Sequence, residues 1–269
     1  MLLTTRHLLI VHLILMIDPA SGISGMTPTV ERALAYCGVA FVLLFLPGLL
    51  LSGLLPVISP TAPTGAAAQF WAQDMVRKQF GLAMMLAASG LQAPLGALIA
   101  IRMRQMAGRY SALAYTQIIG AGLAVLAVVL PIFGFAAASY RPDRAPEITQ
   151  AFHDFGWLLL VMNWPPAILQ CASAGVAVLG AARQLSPRWF GYWNLWCAFL
   201  FTGGGVTLLF KDGVFAWNGV VAFYLPASVF GVWILSMVWQ LLKTTSASEQ
   251  DWPTLTTGEI TKNSVGQLV

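Results

Sequence analysis

Residues 111–138, SALAYTQIIGAGLAVLAVVLPIFGFAAA, form an apolar stretch without a single charged side chain. In a helix, which rises 1.5 Å per residue, about 20 apolar residues cross the roughly 30 Å hydrocarbon core of a bilayer. An apolar run of this length is typical of a transmembrane helix rather than of a helix in a soluble domain. The stretch therefore predicts an integral membrane protein.

Five further apolar stretches are about as long, and they cover residues 33–55, 80–101, 157–182, 189–210 and 219–242. The 14 Lys and Arg and the 10 Asp and Glu residues all fall outside these six stretches. An isolated charge at the centre of a bilayer costs several kcal/mol, so this partition supports the assignment. We predict an all-α polytopic membrane protein whose six transmembrane helices form one domain, residues 26–243.

The composition of the chain excludes several classes of protein. Of its 269 residues, 58% are hydrophobic and only 9% are charged, and the mean hydropathy is +0.76. An average soluble protein is about one quarter charged. A soluble enzyme, a disordered regulator and a nucleic-acid binder are therefore excluded, and the expected partner is the lipid bilayer rather than nucleic acid, despite the net charge of +4.

The loop charges predict the orientation of the chain. Arg102, Arg104 and Arg109 lie between the second and third stretches, and Arg183 and Arg188 lie between the fourth and fifth, with no acidic residue in either loop. The other three loops mix both signs of charge. Because unopposed Lys and Arg residues mark cytoplasmic loops, we predict that both termini are cytoplasmic.

The two ends of the chain differ from the membrane domain. Residues 8–17 are an apolar run too short to span a bilayer, and they have the outline of a signal peptide. We interpret residues 1–25 as an upstream extension or a surface-lying stretch, with a signal peptide as the alternative. Residues 244–269 are polar and rich in Ser and Thr, which predicts a disordered cytoplasmic tail.

A short internal similarity relates two of the predicted hairpins. Arg104-Gln105-Met106 precedes the third stretch, and Arg183-Gln184-Leu185 precedes the fifth. Leu91-Gln92 and Leu169-Gln170 lie at nearly the same distance upstream of these motifs. This pattern is consistent with a duplicated helical hairpin, as is common in transporters, although repeats also occur in membrane proteins that transport nothing.

Neutral polar residues inside the stretches are the candidates for ligand binding. Pro165 and Pro166 remove two amide donors and free carbonyl groups about one turn earlier, near Val161 and Met162. Such a kink beside amide side chains suits a small ligand, whereas the alternative is that these side chains hydrogen-bond across helices and stabilise the bundle. The candidate ligand-binding residues are Gln92, Gln117, Asn163, Gln170 and Asn194.

The predicted outer loops hold the candidates for acid–base chemistry. His153 and Asp154 precede the fourth stretch, Glu147 lies upstream of them, and Asp74 precedes the second stretch. If these loops converge, His153 with Asp154 or Asp74 forms a proton-handling pair. The alternative is that these residues are ordinary polar side chains at the boundary between membrane and water. No set of His, Cys, Asp or Glu residues has ligand spacing in the stretches, so neither a metal nor a cofactor is predicted.

Two motifs in the second half of the chain resemble a known family. Residues 186–196 read SPRWFGYWNLW, and residues 210–219 read FKDGVFAWNG. They resemble a family of bacterial six-helix inner-membrane proteins that has no established activity. The resemblance covers roughly residues 30–243 and implies the bacterial inner membrane as the location. It also marks Arg188, Asn194, Lys211, Trp217 and Asn218 as important residues without a named role.

These observations leave two functional hypotheses. The first is a non-enzymatic membrane protein that binds or passes a lipophilic small molecule, or that serves as a subunit of a larger assembly with another membrane protein. The alternative is a membrane enzyme that acts on a lipophilic substrate at the outer face through His153, Asp154, Asp74 or Glu147.

Overall fold

All regular secondary structure is helical in the residues that the computed structural model describes, which are 26–107, 111–141, 143–181 and 184–250, and this part contains no strand. The predicted extension 1–25, the end of the tail 251–269, and Arg109 and Arg183 of the two basic loops lie outside the described residues. The expectation of an all-α fold is confirmed for the described part of the chain.

Nine α-helices make up most of this described part. They are α1 (Pro28–Leu51), α2 (Ala66–Ala72), α3 (Met75–Ser89), α4 (Gln92–Ala107), α5 (Ala112–Ser139), α6 (Pro146–Val161), α7 (Pro165–Leu179), α8 (Arg188–Leu200) and α9 (Leu225–Gln250). Between α8 and α9 the backbone forms two 3₁₀ segments, Phe201–Leu209 and Gly213–Phe215, and one π-helical turn, Val220–Tyr224.

Among the described residues, five helical segments are long and apolar enough to cross a membrane: Pro28–Leu51, Met75–Met106, Ala112–Ser139, Pro146–Leu179 and Gly213–Thr245. They correspond to five of the six predicted stretches, which is what a multi-pass membrane protein requires. The fifth predicted stretch, 189–210, is not among them; there α8 ends at Leu200 and a 3₁₀ segment follows from Phe201.

The helices extend beyond the predicted apolar stretches at two places. The fourth helical segment begins at Pro146, not at 157, because proline at the first helical position loses no hydrogen bond and has a suitable φ. His153 and Asp154 therefore lie within a helix rather than before it. At the other end of the chain, α9 continues to Gln250, so residues 244–250 are helical rather than disordered.

Three of the membrane-length segments are interrupted, and the break in Gly213–Thr245 lies between the second 3₁₀ segment and the π-helical turn. Pro165 and Pro166 have no N–H to continue the hydrogen-bond ladder, and the chain breaks between Val161 and Pro165 before α7 begins. A second interruption separates α3 from α4 at Gly90. The interruptions at Pro165 and at Gly90 each fall in the first of the two membrane-length segments of a predicted hairpin. Only the second hairpin contains a 3₁₀ segment. The duplication therefore stays a prediction.

Glycine residues let neighbouring helices pack closely. A Cβ placed on Gly134 of α5 would lie 2.9 Å from the Cα of Gly156 in α6. A Cβ on Gly175 of α7 would lie 2.9 Å from the carbonyl oxygen of Gly191 in α8. Because lipid is as apolar as the helix surfaces, close backbone contact is a main source of attraction between transmembrane helices.

A buried ion pair joins α1, α4 and α9 at one end of the bundle, which we call the ion-pair end. Arg102 donates to the Glu31 carboxylate at 2.6 Å and to the Thr245 hydroxyl at 2.9 Å. The Thr245 hydroxyl lies 3.1 Å from the same Glu31 oxygen, and all three residues are buried. The buried position of Thr245 explains why the helix continues past the predicted end of the sixth stretch.

The opposite end, which we call the loop end, is closed by side chains that bind backbone carbonyl groups. The Trp217 indole donates to the Ile58 carbonyl at 2.9 Å, and Gln79 donates to the Ser139 carbonyl at 3.1 Å. Lys78 is buried, donates to the carbonyl groups of Phe70 and Gln73, and thus occupies the C-terminal end of α2. A cation at this end of a helix satisfies free carbonyl groups and complements the helix dipole.

The ion pair generates a prediction about stability. Replacing Arg102 by Met leaves the Glu31 carboxylate buried without its cation, and breaking a buried pair in this way costs about 3–5 kcal/mol. We expect a clearly lower thermal unfolding midpoint in detergent micelles. The double variant Arg102→Met with Glu31→Met removes both charges and should recover most of the loss.

The matched control is the exposed pair between Arg77 and Asp74, whose nitrogen and oxygen atoms are 3.4 Å apart. Exposed pairs contribute little to stability, so Arg77→Met should hardly change the unfolding midpoint. Equal shifts for Arg102→Met and Arg77→Met would contradict a stabilising role for the buried pair.

Candidate functional site

A cavity of about 460 Å³ lies between α1, α5, the interruption between α6 and α7, the first 3₁₀ segment and the start of α9. Ligand cavities in proteins commonly enclose about 300–1,000 Å³. The cavity is partly open to the outside of the molecule. It is therefore large enough for a small molecule or one lipid chain.

The cavity wall is apolar, and none of the described residues that form it is charged. Seven aromatic side chains line it: Phe41, Phe45, Trp164, Phe201, Phe223, Tyr224 and Phe230. The polar side chains of the wall are Asn163, Ser228 and Tyr224. The Tyr224 oxygen accepts a hydrogen bond from the backbone N–H of Val57 at 3.5 Å. With so few polar groups in its wall, the cavity suits a lipophilic molecule.

The first interruption forms one side of the cavity. Because Pro165 and Pro166 cannot donate, the carbonyl groups of Val161 and Met162 lose their helical partners. Gly204 packs directly against the Val161 carbonyl, and a Cβ on Gly205 would lie 3.2 Å from the Trp164 ring. The absence of side chains at these glycines therefore lets the 3₁₀ segment reach the interrupted backbone.

A second irregular segment meets the cavity from the other side. The π-helical turn Val220–Tyr224 leads directly into α9, whose first turn contains Pro226. A Cβ on Gly203 would lie 2.6 Å from the Val221 carbonyl oxygen. Because glycines 203–205 have no side chains, the 3₁₀ segment fits between the two interrupted segments. Non-helical backbone at membrane depth is tolerated where protein buries it or where it lines a cavity.

The structure separates the five predicted ligand-binding residues. Only Asn163 lines the cavity, where its side chain makes no hydrogen bond to any other described residue. Gln117 donates to Gln170 at 3.3 Å, and Ser173 donates to the Gln117 oxygen at 3.3 Å. This buried network joins α5 to α7, as expected if amide side chains stabilise the bundle.

Asn194 and Gln92 also lie away from the cavity. Asn194 is fully buried, donates to the Phe190 carbonyl at 2.7 Å and accepts from the Trp233 indole at 2.8 Å. Gln92 is buried at the start of α4, and its amide nitrogen has no hydrogen-bond partner within the described part of the chain. Asn194 thus connects α8 to α9, whereas Gln92 has no evident contact that explains its position.

His153 lies in a buried aromatic cluster at the loop end. The Trp71 indole nitrogen is 3.2 Å from Nδ1 of His153, and the Trp157 indole nitrogen is 3.2 Å from Nε2. The rings of Phe70 and Phe135 are also about 6 Å from the imidazole, with centroid distances of 6.1 and 6.0 Å. The cluster connects the short helix α2 to α5 and α6.

The two indole contacts restrict what His153 can do chemically. A neutral imidazole accepts a hydrogen bond at one nitrogen only, and a protonated imidazole accepts none. One indole therefore donates to His153 in either tautomer, and protonation opposes both contacts. A general base needs a nitrogen within reach of a substrate proton, whereas both nitrogens of His153 face indole groups inside the protein.

The other three predicted acid–base residues do not join His153. Asp74 is exposed and forms its ion pair with Arg77, and Glu147 lies exposed in the first turn of α6. Asp154 interacts electrostatically with Lys211. Over the described ranges, no hydrogen bond or ion pair connects any two of the four candidates.

Two of the motif residues make contacts between segments of the chain. Asn194 and Trp217 are buried and bind Trp233 and Ile58 respectively. Arg188 and Lys211 are exposed, and the side-chain oxygen of Asn218 is buried without a partner in the described part of the structure. The contacts of Asn194 and Trp217 give these two residues a structural role.

The sequence analysis did not predict the contacts of His153 or of Arg102. Trp157 lies four positions after His153, and helical residues at this spacing share a face, so this contact was accessible from the sequence. The Trp71 contact joins residues 82 positions apart, and the Arg102 contact to Glu31 joins residues 71 positions apart. No local pattern indicates contacts at such separations.

No metal site is apparent among the described residues, where no three His, Cys, Asp or Glu side chains are grouped to hold an ion. Cys171 and Cys197 are buried, and Cys37 is partly buried, all as free thiols.

The contact of Gly204 with the interrupted helix generates a prediction. A Cβ at this position would collide with the Val161 carbonyl, which is rigid backbone. We expect Gly204→Ala to destabilise the protein by about 1–3 kcal/mol, as overpacking does elsewhere. The control is Gly122→Ala, because a Cβ on Gly122 meets open space. Equal thermal unfolding midpoints for the two variants would contradict the packing described above.

Comparison with known proteins gives no match: no protein-family model, no curated protein and no solved structure is similar to the chain.

Proposed function

We propose that the protein is a six-span membrane protein that binds or passes a lipophilic small molecule, and that both ends of its membrane domain face the cytoplasm. The fifth span consists of α8 and the 3₁₀ segment that follows it, residues 188–209. At 1.5 and 2.0 Å per residue, the two parts together are roughly 37 Å long, which exceeds the thickness of the hydrocarbon core.

The charge distribution supports this orientation. Arg32, Arg104, Arg188 and Lys243 lie at the ion-pair end, where the acidic Glu31 is already paired with Arg102. At the loop end, basic and acidic residues are mixed, as in the ion pair of Arg77 with Asp74. Because an excess of Lys and Arg marks the cytoplasmic side, the ion-pair end is assigned to the cytoplasm.

The orientation is tested by C-terminal reporter fusions in bacteria. We expect a fused green fluorescent protein to fluoresce and a fused alkaline phosphatase to be inactive, because the first folds in the cytoplasm and the second requires an oxidising compartment. An active phosphatase fusion with a dark fluorescent fusion would place the C-terminus outside and overturn the assignment.

The observation that carries the proposed ligand function is the uncharged cavity between two interrupted helical segments. Irregular segments at membrane depth cost hydrogen bonds and are tolerated where protein buries them or where they line a cavity, as they do in many transporters. The wall offers aromatic surface and very few polar groups. A lipophilic occupant gains apolar contact in such a cavity without requiring a charged partner.

The enzyme alternative receives less support. Its candidate residues do not converge within the described structure, and the nitrogens of His153 face Trp71 and Trp157. The proposed function therefore rests on binding rather than on acid–base catalysis.

The cavity is tested by filling it. Ala127 of α5 lines the cavity, and Ala127→Phe places a large side chain in the binding space. Native mass spectrometry of the gently extracted wild-type protein should show an added mass of a few hundred daltons. We expect the fraction of protein that carries this added mass to fall at least tenfold in the variant, because the new ring occupies the space of the ligand.

The matched control is Ala83→Phe, which adds the same ring at an exposed position of α3 that does not line the cavity. It should retain the bound mass. Bare wild-type protein would refute ligand binding in the native membrane, and protein carrying a second polypeptide instead would favour a subunit of an assembly.

A further inference from the structure

The cavity has a mouth on the side of the bundle, between α1 and α9. Leu46 of α1 and Val232 and Leu235 of α9 line the cavity and are also 50%, 53% and 44% exposed. A side chain that belongs both to the cavity wall and to the surface lies at an opening. The three residues fall within segments of membrane-spanning length, so this opening faces hydrocarbon rather than water.

The two helices that flank the mouth are held together on one side of it. A Cβ on Gly38 of α1 would lie 2.7 Å from Val238 and 3.3 Å from Ile234, so the helices are in tight contact there. The buried contact of Glu31 with Thr245 joins the same helices still closer to the ion-pair end. The mouth therefore lies in the half of the bundle nearer the loop end.

The loop end itself is covered above the cavity. The Trp217 indole donates to the Ile58 carbonyl, and the Tyr224 hydroxyl lies against the backbone nitrogen of Val57. These contacts connect the segment after α1 to the segment before α9. A molecule that enters through the side mouth comes from the bilayer, whereas a molecule from water meets these covering segments.

The polar groups of the cavity define the chemistry of the occupant. The Asn163 amide lies at the interruption between α6 and α7 and is free of hydrogen bonds to other described side chains or backbone groups. An amide both donates and accepts hydrogen bonds but carries no charge. With no Lys, Arg or His among the described residues of the wall, an ionised head group would lose its hydration without a compensating partner.

We infer that the occupant is an uncharged lipophile resident in the bilayer, which enters sideways between α1 and α9 and places one hydrogen-bonding polar group at Asn163. Its class is that of long-chain alcohols, carbonyl compounds and similar neutral lipids. This inference rests on the proposed function, and the experiment below separates the failure of the two.

The test compares three probes that share one saturated sixteen-carbon chain: hexadecanol, hexadecyl phosphate and hexadecane. The full-length protein is stripped of bound lipid in detergent, and binding of each labelled probe is measured at equilibrium. We expect hexadecanol to bind most tightly. Hexadecyl phosphate should bind at least tenfold more weakly because the wall offers it no cation, and hexadecane should bind more weakly because it has no polar group.

Variants assign the polar contact. Asn163→Leu should weaken hexadecanol about tenfold, the loss expected for one buried hydrogen bond, and leave hexadecane unchanged. The matched control is Gln92→Leu, which removes a buried amide that does not line the cavity and should leave all three affinities unchanged.

The outcomes are distinct. This inference is overturned if hexadecyl phosphate binds most tightly, or if Asn163→Leu and Gln92→Leu weaken hexadecanol binding equally. In either case the proposed function still stands if Ala127→Phe abolishes binding. If none of the three probes binds, or if Ala127→Phe leaves their binding unchanged, the proposed function fails as well.

The side mouth is tested in liposomes with a nitroxide spin label on Val232→Cys, in a background where Cys37 is replaced by Ser. Adding hexadecanol should lower the collision rate of this label with oxygen, because the chain occupies the mouth. The control label at Val76→Cys, which is 76% exposed on α3 and outside the cavity wall, should not respond. Identical responses at both positions would exclude entry between α1 and α9.

Discussion

Inside a bilayer no water is present to bind an exposed N–H or C=O group, so every interruption of a helix must be compensated by protein or by an occupant. This requirement explains the arrangement between α6 and α9. The proline pair 165–166 removes two backbone donors, and both this break and the π-helical turn Val220–Tyr224 lie against the same 3₁₀ segment. Glycines 203–205 allow that segment to pack against the interrupted backbone. The cavity lies beside this interrupted backbone.

The same requirement shapes the two ends of the bundle, where charged and amide side chains bind groups that helices leave free. Lys78 binds carbonyl groups at the end of α2, and Arg144 donates to the Ala137 carbonyl at 2.9 Å. The pair of Arg102 with Glu31 has the different role of joining helices that are distant in the sequence. The contact of Thr245 with Glu31 also joins α9 to α1 at the ion-pair end, on one side of the mouth between these two helices.

The polar residues of the interior divide into two groups with different physical roles. Gln117, Gln170 and Asn194 satisfy one another or neighbouring groups, which is the ordinary way in which amides stabilise a membrane bundle. Asn163 differs because the helix ends before it and the cavity begins beside it. A side chain in this setting is available to a ligand, whereas the same amide in the middle of a helix packs against other helices.

The sequence by itself determined where membrane-length helices form and where one of them is interrupted, through the length and hydropathy of its apolar stretches and the positions of proline. Apolar stretches such as 111–138 predicted membrane-length helices, because bilayer thickness dictates helix length, and the proline pair at 165–166 predicted the free carbonyl groups. These are local properties that a single segment carries alone. Only the tertiary structure decided that Asn163, and not Gln117, meets a cavity, and that Trp71 lies against His153. Such contacts depend on how helices rotate and cross, and within apolar segments the hydropathy is too uniform to specify which face meets which neighbour.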